Sequence, residues 1–206
     1  MQSIAHEIIN PLSAIWWQVN SITVSSIIIL LLCAKQLNSE NLKKFTLLIG
    51  AVLSSRVIFI QIYQLYIGKW VAASSIPIHL CGLSSILAGL LMFKRNQFAY
   101  ECLFYWGLAG AIQSLLTPEF TLGKDDSIIF IDYFISHGGI IFAALYLTII
   151  LKMRPREKSW FSVFLFSQIL IPIIGLVNWL LDANYMYLCQ KPIVDNPLVI
   201  GEWPYY

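Results

Sequence analysis

The stretch Ile128–Leu151, "IIFIDYFISHGGIIFAALYLTIIL", is apolar along most of its length, and Asp132 and His137 are its most polar residues. About 20 apolar residues are enough for one helix to cross a hydrocarbon core of about 30 Å. Five further runs have a similar length and composition: Leu12–Ala34, Phe45–Ile67, Ile76–Phe93, Phe98–Thr117 and Trp160–Asp182. The sequence therefore predicts an all-α membrane protein, a polytopic bundle of six transmembrane helices in residues 1–182. Residues 183–206 are predicted to form an extracytoplasmic C-terminal tail.

The composition excludes an ordinary soluble domain. Hydrophobic residues make up 58% of the 206-residue chain and charged residues only 12%, whereas a soluble domain is about 25% charged. The basic residues form no stripe that could follow a nucleic-acid backbone, so nucleic acid is not an expected partner. The four cysteines have no paired spacing and indicate neither a disulfide framework nor a zinc site. We expect membrane lipids as partners, and we expect no metal or cofactor.

Lysine and arginine are distributed unevenly between the two sides of the predicted bundle. The first, third and fifth connectors hold nine of them: Lys35, Lys43, Lys44, Lys94, Arg95, Lys152, Arg154, Arg156 and Lys158. The opposite side holds three, which are Lys69, Lys124 and Lys191. Short loops rich in these residues stay in the cytoplasm. The pattern therefore predicts that the N-terminus is outside, and we expect a multi-pass protein of the plasma membrane.

Polar side chains within the predicted spans gather near the outer ends. This layer contains His79, Cys81, Gln113, Asp132, His137 and Asn178. Polar groups within a membrane span usually face the bundle interior or a wet cavity, so we predict a polar cavity near the outer leaflet. Arg56 and Glu101 lie deeper, and we interpret them as a structural ion pair between the second and fourth spans.

Cys81 is a candidate nucleophile if a histidine from another helix takes its proton, and His137 is the better placed histidine. His79 and Cys81 are two residues apart, which separates their side chains by about 200° on an ideal helix. Unless the first turn is distorted near Pro77, only one of the two should face the cavity. Asp132 could orient the His137 ring only if the helix bends, since neighbours on a helix face are four residues apart. The competing interpretation is that Cys81 is a small buried hydrophobe.

Several stretches resemble a known family of membrane proteins: "IPIHLCGLS", "ECLFYWGLAGAIQSLLTPE", "FISHGGIIFAALYLT", "NWLLDANYMYLCQKP" and "GEWPYY". They are similar to the YwaF-like family of bacterial integral membrane proteins. That family is related to vertebrate transmembrane protein 164, an acyltransferase that places polyunsaturated chains on ether phospholipids. The resemblance implies that Cys81 is the nucleophile, that His137 is the general base, and that a phospholipid is the substrate.

The other motif positions are His79, Gln113, Asp132 and Asn178, for which residue type and layer suggest orienting or oxyanion-stabilising roles. Members of the family usually continue past the "WPYY" stretch with a final apolar helix. We therefore expect a seventh helix to be missing here or supplied by another chain, and a homo-oligomer is one such arrangement.

Two other functions use the same polar layer. A small-molecule transporter or channel needs a polar path to the inner face, which Arg56, Gln61 and Glu101 would have to provide. A non-enzymatic structural membrane protein would use the layer only for helix packing. A closed pocket beneath the outer leaflet with Cys81 and His137 within about 4 Å of each other would favour the cysteine-dependent acyltransferase.

Overall fold

The computed structural model describes residues 7–120, 125–192 and 201. Its helices are α1 (Ala14–Gln36), α2 (Ser39–Tyr66), α3 (Leu80–Phe93), α4 (Gln97–Cys102), α5 (Leu108–Leu116), α6 (Ser127–Ile149) and α7 (Ser159–Leu181). The π-helical turn Leu103–Gly107 joins α4 to α5, and these three segments occupy the predicted fourth span. The prediction of an all-α bundle is thereby confirmed, and α1, α2, α6 and α7 are each long and apolar enough to cross a membrane. Lys124 and most of the predicted tail lie outside the described residues.

The third span is shorter than predicted. It was expected to begin at Ile76, but the chain turns at residues 76–79 and α3 begins at Leu80. Gly82 lets the backbone of Pro77 approach closely, because a β-carbon on Gly82 would lie 2.6 Å from the Pro77 carbonyl oxygen. With a rise of 1.5 Å per residue, α3 is only about 21 Å long. The space left at its start is occupied by irregular chain and by the cavity described below.

Helix α6 lies at the centre of the bundle and contacts α1, α2, α3 and α5. Its buried positions include Phe134, Ile140 and Tyr146. Gly138 allows α1 to approach, since a β-carbon there would lie 2.7 Å from a methyl group of Thr23. Small residues at helix contacts are the usual means of close packing in membranes. The remaining helix, α7, lies at the edge of the bundle and contacts α4 and a short 3-10 turn, Tyr185–Tyr187, that follows it.

Glu101 is fully buried at the basic end of the bundle, where it pairs with Arg156 at 2.8 Å. Its carboxylate also accepts hydrogen bonds from the backbone N–H of Arg156 and from Gln97. The predicted ion pair between Arg56 and Glu101 is therefore wrong. The physical reason is helix packing: α2 contacts α3 and α6, whereas α4 contacts α3 and α7. Each of the two residues finds its partner on a nearer element.

The opposite end of the bundle is closed by short segments from four parts of the sequence. Strand β1 (Glu7–Ile8) pairs antiparallel with β2 (Glu119–Phe120), which follows α5. The connector between α2 and α3 lies beside the segment after α7, because the Tyr185 hydroxyl donates to the carbonyl of Ala72 at 2.6 Å. These segments form a roof over a cavity between the helices.

Candidate functional site

A cavity of about 780 Å³ opens beneath this roof. Its walls come from α2, α3, α5, α6 and α7, from the π-helical turn, and from the connectors at this end. Helix α1 contributes no lining residue among those that the structure describes. Five of the predicted site residues line the cavity: His79, Cys81, Gln113, Asp132 and His137. Most of the layer expected from the sequence thus lines one partly open cavity.

His79 and Cys81 both face this cavity, contrary to the expectation for two residues on one ideal helix. His79 precedes α3 with an extended backbone, φ −59° and ψ 154°, whereas Cys81 belongs to the first turn of the helix. The turn around Pro77 therefore removes the 200° separation. The Cys81 sulfur lies 3.8 Å from the hydroxyl of Ser114, which itself donates to the carbonyl of Gly110 at 2.9 Å. Because that hydroxyl proton is already used, the Cys81 thiol is the donor in the contact with Ser114.

The tautomer of His137 follows from its backbone contact. Its Nδ1 lies 2.7 Å from the carbonyl oxygen of Tyr133, four residues earlier in α6. A carbonyl oxygen only accepts, so Nδ1 carries the proton and Nε2 of the neutral ring has a free lone pair. The Tyr133 ring packs against the imidazole with a centroid distance of 4.3 Å, and its hydroxyl donates to the carbonyl of Ser114 at 2.9 Å. Tyr133 therefore connects α6, which carries His137, to Ser114, which contacts Cys81.

Within the described part of the chain, no hydrogen bond joins Cys81 to His137 directly. The two side chains reach the cavity from different walls, Cys81 from the start of α3 and His137 from α6. A proton transfer between them would therefore need an intermediate group, such as water or a hydroxyl of a bound ligand.

Asp132 does not orient His137, because its carboxylate is engaged with Arg56. Nη1 of Arg56 lies 2.9 and 2.8 Å from the two carboxylate oxygens, and Nη2 donates to the Ser85 hydroxyl at 3.0 Å. The side chains of Arg56 and Asp132 are 13% and 16% exposed. This arrangement joins α2, α3 and α6 at one point of the cavity wall, and a buried ion pair of this kind tolerates the loss of neither partner.

Three buried polar atoms of the cavity wall lack a hydrogen-bond partner in the part of the chain that the structure describes. They are Nε of Arg56, Oε1 of Gln64 and Oγ of Ser74. All three belong to α2 or to the connector after it. Buried polar groups are nearly always paired, so these atoms indicate that water or a polar ligand occupies this part of the cavity.

The segment after α7 covers the cavity with Met186, Tyr187 and Leu188. Nδ1 of His79 accepts a hydrogen bond from the backbone N–H of Met186 at 3.1 Å, so His79 holds this cover in place. Tyr187 interacts with the Glu119 carboxylate. Burial raises the pKa of the Tyr187 phenol, and the negative charge of Glu119 raises it further. The phenol therefore remains a neutral hydrogen-bond donor at physiological pH.

Asn178 does not line the cavity. It binds the backbone of Tyr185, which directly precedes the residues that cover the cavity. Its Nδ2 donates to the carbonyl of Tyr185 at 3.0 Å, and its Oδ1 accepts from the Tyr185 N–H at 2.8 Å. Both residues are buried, with 2% of Asn178 and none of Tyr185 exposed. The sequence correctly predicted the end of the bundle at which Asn178 lies. Its partner is the backbone of Tyr185, which residue spacing could not identify.

Replacing Asn178 by leucine is expected to release the cover, because the N–H and carbonyl of Tyr185 would be buried without partners at about 1–3 kcal/mol each. Hydrogen exchange at the Tyr185 amide should accelerate at least about a hundredfold, which corresponds to about 2.7 kcal/mol. Gln168→Leu, which replaces an exposed amide on the same helix, is the matched control and should leave this rate unchanged. Equal rates in the two variants would contradict the assignment.

The sequence also missed the roles of Ser114 and Tyr133. A tyrosine four residues before His137 was visible in the sequence, but which backbone or side-chain group orients the imidazole ring depends on the rotamer of His137.

The described residues contain no group of three or more His, Cys, Asp or Glu side chains that could hold a metal ion.

The model of the TMEM164 family matches residues 3–206 of the chain. No curated protein and no solved structure matches the chain. The match confirms the relation to transmembrane protein 164 that the motifs indicate, although it does not extend to the YwaF-like grouping. Because the family model covers nearly the whole chain, and the bundle agrees with an integral membrane protein, the protein belongs to the TMEM164 family.

Proposed function

We propose that the protein is a cysteine-dependent acyltransferase that moves an acyl chain from one membrane phospholipid to another. The observation that carries this proposal is the placement of Cys81 and of His137, with its unprotonated Nε2, on one cavity. Acyl transfer through a covalent intermediate needs at least a nucleophile and a base that can reach the same ligand, and here they come from different helices. The proposal includes the plasma membrane as the location, with the cavity toward the outer leaflet as the charge pattern predicts.

The first half of the proposed reaction forms a thioester. A bridging water passes the Cys81 proton to Nε2 of His137. The resulting thiolate attacks the carbonyl carbon of the donor ester. The bond between that carbon and the glycerol oxygen then breaks, and the leaving oxygen takes the proton back from His137. The products are acyl-Cys81 and a lysophospholipid, and the ring is neutral again.

The second half returns the enzyme to its resting state. A hydroxyl of the acceptor lysophospholipid gives its proton to His137 and attacks the thioester carbonyl. The bond from carbon to sulfur breaks, and the departing thiolate recovers the proton from His137. No oxidant, metal or cofactor enters either half.

The negative oxygen of each tetrahedral intermediate needs hydrogen-bond donors. The N–H groups in the first turn of a helix have no acceptor within the helix, and Cys81 and Gly82 lie in the first turn of α3. The side-chain amide of Gln113, on the same cavity, is a further donor.

The unpaired atoms of Arg56, Gln64 and Ser74 support a phospholipid as the ligand. A head group offers phosphate and ester oxygens to the guanidinium, and hydroxyl or ammonium donors to the amide oxygen and the serine. The transporter alternative receives less support, because Glu101 does not line the cavity and is paired with Arg156 at the other end.

The test is covalent labelling of the protein in lipid with an acyl-mimicking electrophile, followed by peptide mass spectrometry. We expect label at Cys81 in preference to Cys33 and Cys189, although the latter two are the exposed cysteines. His137→Ala should slow this labelling about 10²- to 10⁴-fold, the usual contribution of a general base. Cys81→Ser should abolish it. Slow labelling spread over all four cysteines, and indifferent to His137, would refute the proposal.

A further inference from the structure

Helix α7 exposes a polar side chain to the membrane. Gln168 is exposed, and it lies about 14 Å from the start of α7 and about 20 Å from its end. This position is close to the middle of a hydrocarbon core of about 30 Å, too deep for the amide to reach the interface. No hydrogen bond to the Gln168 side chain occurs within the described residues. An amide in hydrocarbon without a partner is unfavourable, so some group must cover it.

A second polar group lies at the same place. Pro172 is inside α7, and it has no N–H to donate to the carbonyl four residues earlier, which is that of Gln168. Residue 168 therefore presents both an amide side chain and a backbone carbonyl that lacks its usual donor four residues later. Pro172 is itself exposed on the same side of the helix.

The surrounding residues suit contact with another helix. With about 100° per residue, Phe161, Gln168, Pro172, Gly175 and Trp179 all lie within about 40° of one line along α7. A β-carbon at Gly175 would meet no atom within 4 Å. Gly175 is thus a notch beside the polar group, and small residues at such positions let two helix backbones approach closely.

We propose that this stripe of α7, defined by Phe161, Gln168, Pro172, Gly175 and Trp179, is the contact surface for a second copy of the chain. A side-chain amide is both donor and acceptor. Two copies with the same orientation in a membrane place their Gln168 residues at equal depth on either side of a two-fold axis. The two amides then pair reciprocally, each Nε2 donating to the Oε1 or backbone carbonyl of the other. A lipid chain in the same place offers no hydrogen bond, which is why a second protein helix is preferred.

The dimer is independent of the acyl-transfer proposal, because neither Cys81 nor the cavity takes part in it. The test measures self-association in lipid bilayers, by the distance-dependent fluorescence of singly labelled protein at decreasing protein-to-lipid ratios. Gln168→Leu should weaken dimerisation about tenfold, the effect of interhelical hydrogen bonds lost in a membrane. Leucine is a good helix former and suits hydrocarbon, so the variant should fold. Gln168→Asn keeps the amide and should restore part of the affinity.

Cysteine crosslinking then tests the geometry. In a chain with Cys33 and Cys189 replaced by serine, Gln168→Cys should form a disulfide between copies, because the residue lies at the proposed axis. Phe59→Cys, an exposed membrane-facing position on α2, is the control and should not crosslink. Wild-type protein that stays monomeric at every density, or equal crosslinking at both positions, would overturn the proposal.

Discussion

Replacing Arg56 by methionine is expected to lower the free energy of unfolding by about 3 to 5 kcal/mol, the usual effect of breaking a buried ion pair. Methionine occupies a similar length of the cavity wall, but it leaves the Asp132 carboxylate without its two hydrogen bonds from Nη1. Ser85 also loses its donor. Unfolding of the purified protein by graded SDS in mixed micelles measures the difference.

The double variant Arg56→Met/Asp132→Asn separates the loss of the pair from the penalty of a single buried charge. Removing both charges is often nearly neutral, so the double variant should recover to within about 1 kcal/mol of the wild type. If it is as unstable as Arg56→Met alone, the pairing with Asp132 is not what stabilises this wall. The same measurement on Glu101→Gln should give a smaller loss, since Arg156 is 60% exposed and can return to water.

Replacing Gly89 by leucine is expected to destabilise the bundle by about 3 kcal/mol or to prevent folding, because extra atoms in a packed core force the backbone apart. A β-carbon at this position would collide with the Ser54 hydroxyl and lie 3.1 Å from the Ser54 nitrogen. A backbone atom cannot turn aside as a flexible side chain can. The effect should appear as a lower SDS midpoint.

The matched control for Gly89 is Gly175→Ala in detergent at concentrations where the protein is monomeric. A β-carbon at Gly175 meets no atom within 4 Å, and alanine is the better helix former by up to about 1 kcal/mol. We expect a neutral or slightly stabilising effect. Destabilisation by Gly175→Ala equal to that of a substitution at Gly89 would mean that helix glycines matter here for backbone flexibility and not for contact between α2 and α3.

The helices were predictable because the membrane sets their length. The boundaries of α1, α6 and α7 fall within two residues of the predicted ones, since each apolar run must span the same hydrocarbon thickness. Helix α2 begins six residues earlier than predicted, at Ser39, because Asn38 caps it and Glu40 pairs with Lys44 on its first turns. A polar first turn that lies outside the membrane cannot be recognised from a run of apolar residues.

The site was predictable as a layer but not as a set of contacts. Residues of similar depth could be recognised from the distance of each to its span boundary, and this placed Cys81, His137 and Asp132 together. Their partners depend on which helices are neighbours and on side-chain rotamers. The pairing of Arg56 with Asp132 and the contact of His137 with the Tyr133 carbonyl follow from that packing and not from spacing.

The roof described above has a consequence for how the protein is made. Its parts are residues 7–9, the connector after α2, the strand after α5 and the turn at Tyr185, which the ribosome releases far apart in time. Until Tyr185 emerges, the Ala72 carbonyl and the N–H of Ile76 lack the partner that they have in the finished fold, and the half-built cavity is open at this end of the bundle. Maturation of the site is therefore a late, post-insertion event, and a chain stalled before Tyr185 should be a preferred substrate of membrane quality-control proteases.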